Sequence, residues 1–215
     1  RMTVFRKKPG NGRPAGVRKD RGRGTEAAVF AAVACAVLLG MSGCGQSKTA
    51  AEESGGSRQV MVFEDFTAQD LDGNEVDESL FADYDLTMIN LWGTFCGPCL
   101  QEMPDLGEIA DEYKDKGFQI VGICTDAVGN DGTSLPDVVS EAKEIAEETG
   151  ADYLHILPTG EIFTDLLPRV SGVPTTIFVD REGKQVGLAD MGAKSKDGWL
   201  KVIDEKLAQV QQEAK

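Results

Sequence analysis

The stretch Met88–Pro104 reads MINLWGTFCGPCLQEMP, and the rest of the chain is organised around it. Leu86 to Trp92 meets no breaker until Gly93, which predicts a buried strand. Apolar residues then recur at Leu100, Met103, Leu106, Ile109, Ala110 and Tyr113, a helical spacing. Cys96-Gly97-Pro98-Cys99 therefore lies where a core strand turns into a helix, with Pro98 suited to the helix's first turn.

That position has chemical consequences. Unpaired N–H groups and the dipole at a helix N-terminus favour negative charge, so the Cys96 thiolate is stabilised relative to the thiol. Residues three apart on a helix have Cβ atoms roughly 5–6 Å apart, so a small adjustment brings the two sulfurs to bonding distance. The pair thus reads as a reversible dithiol–disulfide couple. A haem attachment site would need His after the second cysteine, where Leu100 stands. A structural zinc site would need a second ligand pair downstream, and none follows. In exchange chemistry Cys96, at the helix mouth, attacks a substrate disulfide, and the deeper Cys99 resolves the mixed disulfide.

Trp92-Gly93-Thr94-Phe95-Cys96-Gly97-Pro98-Cys99, followed by Glu102-Met103-Pro104, resembles the membrane-anchored thioredoxin-like thiol–disulfide oxidoreductases of the TlpA/ResA type, with Phe95 where Trp is more usual. The resemblance spans about Val60 to Val210. It implies an α/β fold, a thioredoxin-like three-layer sandwich whose mixed central sheet carries an N-terminal β-hairpin and a central αβ insertion. It also implies that Glu102 relays a proton to and from the buried thiol. Classical thioredoxins associate that role with an Asp on the central strand, and Asn90 stands there in this chain. Val173-Pro174, before the strand expected over Ile177–Asp180, matches the cis-proline segment that faces the cysteines and pairs with substrate backbone. Trp92, Phe95, Gly97 and Pro98 would complete the substrate surface, a purely core role being the alternative for Trp92. The pattern calls for no cofactor and no metal. Its partners would be a protein disulfide or thiol substrate and a membrane dithiol electron donor. Apocytochrome c in cytochrome c biogenesis, or an exported methionine sulfoxide reductase, are clients the family suggests.

The N-terminal part points to export. Residues 1–26 are rich in Arg, Lys, Gly and Pro, Ala27 to Ser47 carries no charge, and Met41-Ser42-Gly43-Cys44 resembles a bacterial lipobox. This predicts an export signal over 1–43, a lipid on Cys44, a flexible Ala/Glu/Ser/Gly-rich tether over 44–59 and one domain over 60–215. The protein would sit outside the cytoplasm on a bacterial cell membrane, held by that lipid or by an uncleaved span. Charge divides at Cys44, with 9 Lys and Arg against 2 Asp and Glu before it and 13 against 34 from there on. So acidic a domain is unsuited to nucleic acid.

Outside the central stretch, an N-terminal hairpin is expected, with a weakly alternating first arm over Val60–Phe66, a turn at Asp70–Asn74 and a return from Glu75. A helix from Cys96 to Lys116 closed by Gly117, a strand over Phe118–Cys124, a helix over Pro136–Thr149, a strand over Tyr153–Leu157 and a short helix over Glu161–Leu167 follow. Asp180–Gly183 reads as a hairpin turn with Lys184–Leu188 as its second arm, and Trp199 to Leu207 as part of a closing helix. Cys124 reads as a small core residue and His155, the only histidine, as structural. Two other functions compete: a non-catalytic metal- or peptide-binding lipoprotein on the same fold, and a thiol peroxidase. The latter favours Thr or Pro three residues before its cysteine, where Gly93 stands.

Overall fold

The computed structural model describes Phe63 and residues 65–213; the expected export signal and tether, Cys44 and most of the expected first hairpin arm lie outside the described residues. The strands are β1 (Thr67–Asp70), β2 (Glu75–Asp77), β3 (Leu86–Trp92), β4 (Phe118–Cys124), β5 (Leu154–Leu157), β6 (Thr175–Val179) and β7 (Asp190–Met191). The helices are α1 (Gly97–Tyr113), α2 (Pro136–Thr149) and α3 (Lys196–Glu213). The strands form one mixed sheet in the order β2-β1-β5-β4-β3-β6-β7. Parallel pairing joins β3 to β4 and β4 to β5, and antiparallel pairing joins β3 to β6, so the expected βαβ unit is present.

Period-two alternation assigns each strand residue a face. Leu86 and Met88 of β3 with Phe118 and Ile120 of β4 pack against Leu106, Ile109, Trp199 and Ile203 of α1 and α3. Ile89 and Leu91 with Val121 and Ile123 pack on the opposite face, against Phe63, Phe66, Phe81, Ile162 and Leu166. Each such side chain, taken wholly out of water, contributes about 1.5–3 kcal/mol before entropy is charged against it. Asn90, Trp92, Cys124, His155 and Thr176 all fall on the α1 face by the same alternation, at the C-terminal ends of β3 and β4. α1 crosses close to the end of α2: a Cβ on Gly107 would stand 2.1 Å from the Gly150 carbonyl oxygen, so only glycine lets the two helices approach.

Three differences from expectation have a visible physical cause. The first hairpin arm is Thr67–Asp70, immediately before the turn, because Asp70 accepts from the backbone of Asp72 and Asn74 and closes the chain tightly there. α1 ends at Tyr113 rather than Lys116, and Gly117 (φ +73°) instead leads into β4 while its carbonyl accepts from Asp85 and Leu86. The turn at Asp180–Gly183 forms, but Lys184–Leu188 is not a strand. It makes a single bridge at Gln185 and turns away at Gly187 (φ +75°), and the edge pairing with β6 passes to Asp190–Met191.

Candidate functional site

The turn from β3 into α1 is fixed at both ends. Cys96 N–H donates to the Gly93 carbonyl at 3.0 Å. Between them Thr94 donates its N–H and, at 2.8 Å, its hydroxyl to the Asp126 carboxylate. Phe95, 73% exposed, lies back across Gly93, where an added Cβ would stand 2.7 Å from the ring. A bare backbone at Gly93 is therefore what lets an aromatic ring rest beside the redox pair.

Cys96 is the N-cap of α1, and its sulfur accepts the Cys99 N–H at 3.3 Å, one of the donors that a helix start leaves unpaired. Cys96 and Cys99 are joined as a disulfide, with Cα atoms 5.3 Å apart. Cys96 keeps 5% exposure and Cys99 none, while Gly97 and Pro98 are exposed beside them. Once the pair is reduced, the sulfur nearest solvent is the one supplied with helix-terminal donors. Asymmetry of access and of charge stabilisation both point to Cys96.

Glu102, 3% exposed, faces the sheet one turn beyond Cys99. One oxygen accepts from Asn90 Nδ2 at 3.2 Å; the other accepts from Trp199 Nε1 and from the Lys194 backbone N–H, each at 3.0 Å. Burial pushes this carboxyl above the ordinary carboxylate range, and the three donated bonds offset that only in part. Asn90 also donates to the Thr176 hydroxyl, tying the carboxyl's surroundings to β6.

Trp92 is fully buried, which removes it from the substrate surface and gives it the core role. Its Nε1 donates to His155 Nδ1 at 3.2 Å, and His155 Nε2 lies 3.0 Å from the Ala151 carbonyl. The first bond needs an acceptor and the second a donor, so the ring is the neutral Nε2–H tautomer. Burial pulls its pKa down to about 4. Gly122 makes the room: a Cβ there would stand 2.2 Å from His155 Nδ1. Cys124, fully buried, donates to Asp126 Oδ1 at 3.4 Å, and burial above all pushes its thiol far up. In the reduced, folded protein, iodoacetamide should therefore label Cys96 within minutes and Cys124 only after denaturation, as mass spectrometry of timed digests will read. Labelling of both at similar rates in the folded state would show that Cys124 is accessible.

The Val173–Pro174 bond is cis. Leu91 pairs with Thr175, which puts Pro174 level with Trp92 at the end of the sheet where α1 begins. Val173 packs against the cluster that contains Cys96 and Cys99. The structure thus brings Cys96, Cys99, Phe95, Gly97, Pro98, Val173 and Pro174 to one end of the sheet and places Glu102 beneath them. Among the described residues no three His, Cys, Asp or Glu side chains gather as a metal site, and no helix is long and apolar enough to cross a membrane. Asp126, Trp199 and Lys194 enter the site without having been singled out in the sequence. They arrive from segments 32 to 97 residues away along the chain, and only the position of Asp126 just past a strand's C-terminal end offered a signal.

A sequence profile described as the AhpC/TSA family matches residues 61–186. The thiol-disulfide oxidoreductase ResA of Bacillus thuringiensis is 25% identical over 148 residues, covering 64% of this chain and 74% of that protein. ResA of Oceanobacillus iheyensis is 34% identical over 119 residues, 51% of this chain and 54% of that one. Among solved structures, a thiol:disulfide interchange protein from a Bacteroides species superposes with a TM-score of 0.54 at 27% identity, over 68% of this chain and 89% of that chain.

Proposed function

The chain belongs to the AhpC/TSA family and is a thiol–disulfide oxidoreductase of the ResA/TlpA type, and from that premise we propose that it reduces protein disulfides outside the cytoplasm. The observation that carries this reading is the Cys96–Cys99 pair at the mouth of α1, with exposed Phe95 and Pro98 beside it and a buried carboxyl one turn below. Thiolate Cys96 attacks one sulfur of a substrate disulfide, forming the mixed disulfide and releasing the first substrate thiolate, which takes a proton. Cys99 gives its proton to Glu102 and attacks Cys96 Sγ. The second substrate thiolate leaves and is protonated, and the Cys96–Cys99 disulfide closes. Two electrons have passed from the pair to the substrate, and a membrane dithiol donor restores them by the reverse exchange.

Phe95, Gly97 and Pro98 would receive the substrate's apolar side, and the Val173 backbone its main chain. The Arg/Lys-rich start, the uncharged run after it and Ser42-Gly43-Cys44 support an export signal, a lipid on Cys44 and a tether that keeps the 60–215 domain at the membrane surface. Gly97-Pro98, the dipeptide of reducing thioredoxins, supports the direction. The deciding measurement is the reduction potential of the pair in a dithiothreitol or glutathione buffer. A value near roughly −270 mV is expected, and one near roughly −120 mV would make the protein an oxidant. Peroxide consumption by the reduced protein at a rate above that of free thiol would instead favour the peroxidase alternative.

A further inference from the structure

Asp126 stands two residues past the end of β4 and is half-buried. Its Oδ1 accepts the Thr94 N–H at 3.1 Å and the Cys124 thiol at 3.4 Å; its Oδ2 accepts the Thr94 hydroxyl at 2.8 Å and shares the Thr94 N–H at 3.2 Å. Every partner is a donor, the pattern an ionised acceptor collects. Thr94 is two residues from Cys96 and inside the turn that Cys96 N–H closes onto Gly93. The carboxylate also lies beside Gly93 itself, 3.2 Å from where a Cβ would be.

Two effects on the Cys96 sulfur follow, and they have the same sign. A fixed negative charge behind the turn opposes a second negative charge on the thiolate. The carboxylate also engages the Thr94 N–H and O–H, so neither donor is free to turn toward the sulfur, which retains the Cys99 N–H. The other titratable groups around the pair stand elsewhere. Glu102, from α1, and Lys194, from the segment before α3, meet at the Asn90–Trp199 side, where Lys194 also pairs with Asp190. His155, from β5, is neutral beneath Trp92, and Cys124, on β4, is a protonated thiol. A less stable thiolate makes the dithiol the weaker state to leave and the stronger donor of electrons.

We propose that Asp126 is a positioning residue that holds the Cys96 turn and, through its charge, keeps the Cys96–Cys99 couple on the reducing side. This rests on the exchange reaction proposed above and assigns its direction to a side chain outside the cysteine motif. The test is the equilibrium of the full chain in detergent, in which the protein disulfide and two glutathione thiols give the dithiol and one glutathione disulfide. Wild type, Asp126→Asn and Asp126→Glu are compared by alkylation and mass spectrometry. Asp126→Asn retains an acceptor and loses the charge. It should shift the equilibrium toward the dithiol by about three- to tenfold, roughly 15–30 mV for a two-electron couple, and lower the pH at which the Cys96 thiolate absorbance appears. Asp126→Glu should stay within about twofold of wild type, since the charge is kept. A lower melting temperature with an unchanged equilibrium and thiolate titration, or a shift in the other direction, would overturn the proposal and leave Asp126 a structural tie. Should Asp126→Asn not fold, Thr94→Val leaves the carboxylate one donor short and should move the couple in the reducing direction; no shift, or an oxidising one, rejects the inference. The wild-type potential alone decides the reductase reading, so the two fail independently.

Discussion

Serine in place of Cys96 should reduce disulfide turnover by on the order of a thousandfold or more, to the background of free thiols, because the attacking atom itself is removed. Serine in place of Cys99 should behave differently. The first attack survives, the mixed disulfide forms, and nothing inside the protein resolves it, so substrate accumulates covalently attached to Cys96. The asymmetry comes from geometry: Cys96 caps α1 at the edge of solvent, whereas Cys99 is sealed beneath it. Insulin reduction followed by turbidity, with non-reducing gels of both variants, reads both outcomes. Equal trapping by the two variants would show that either sulfur can lead and would reject the assigned order.

Replacement of Glu102 by Gln should slow resolution of the mixed disulfide by about a hundredfold, the lower end of what a positioned proton acceptor supplies. It should also flatten the dependence of that step on pH, measured between about 6 and 8, because the carboxyl that exchanges a proton with the thiol is gone. An unchanged rate across that range would make Glu102 a merely structural side chain. Stability should move the other way. Because the folded protein holds the Glu102 proton more tightly than the unfolded chain does, its stabilising effect is full below the ordinary value of 4.5 and is lost as pH rises through the raised folded value. Wherever Glu102 is ionised, the wild type holds a buried charge whose burial its three donors offset only in part. Gln can accept from Trp199 and Lys194 through its amide oxygen while Asn90 turns over. A melting temperature higher by about 2–4 °C at pH 7, with the difference closing toward pH 4, is the expected signature. Lost activity together with gained stability is a combination that a purely supporting residue would not give.

The parts of this molecule legible in its sequence are those set by contiguous patterns. β3, β4 and α2 fall on their expected residues because each is a mostly apolar run or a helical spacing set off by a glycine: Gly93 after β3, Gly117 before β4, and Gly150, in the left-handed region, after α2. The redox pair was legible for the same reason, since both cysteines sit in one short segment whose flanks declare strand and helix. The final edge strand was not. Lys184–Leu188 carries ordinary strand residues, but Gly187 turns the chain and hands the pairing to two later residues. On sequence alone, surface and core suit Trp92 equally. Its partner, His155, lies 63 residues away and depends on a missing side chain at Gly122. Asp126 and Trp199 belong to the site only through register across the sheet and the docking of α3, which no local spacing encodes.

The start of α3 is bound to the body of α1 at several successive levels. Trp199 and the Lys194 backbone reach Glu102, the Lys196 backbone reaches Asp105, and the Lys196 ammonium reaches Glu108 and Glu112. All of these anchors lie beyond Cys99, so the first turn of α1 is the one stretch of that helix they leave ungripped. Opening the sulfur bridge should accordingly loosen a patch a few residues wide while the rest of the scaffold stands still. A partner would then have to sense oxidation by touch, at the rim around Phe95 and Pro98, and not from any change in the molecule's outline.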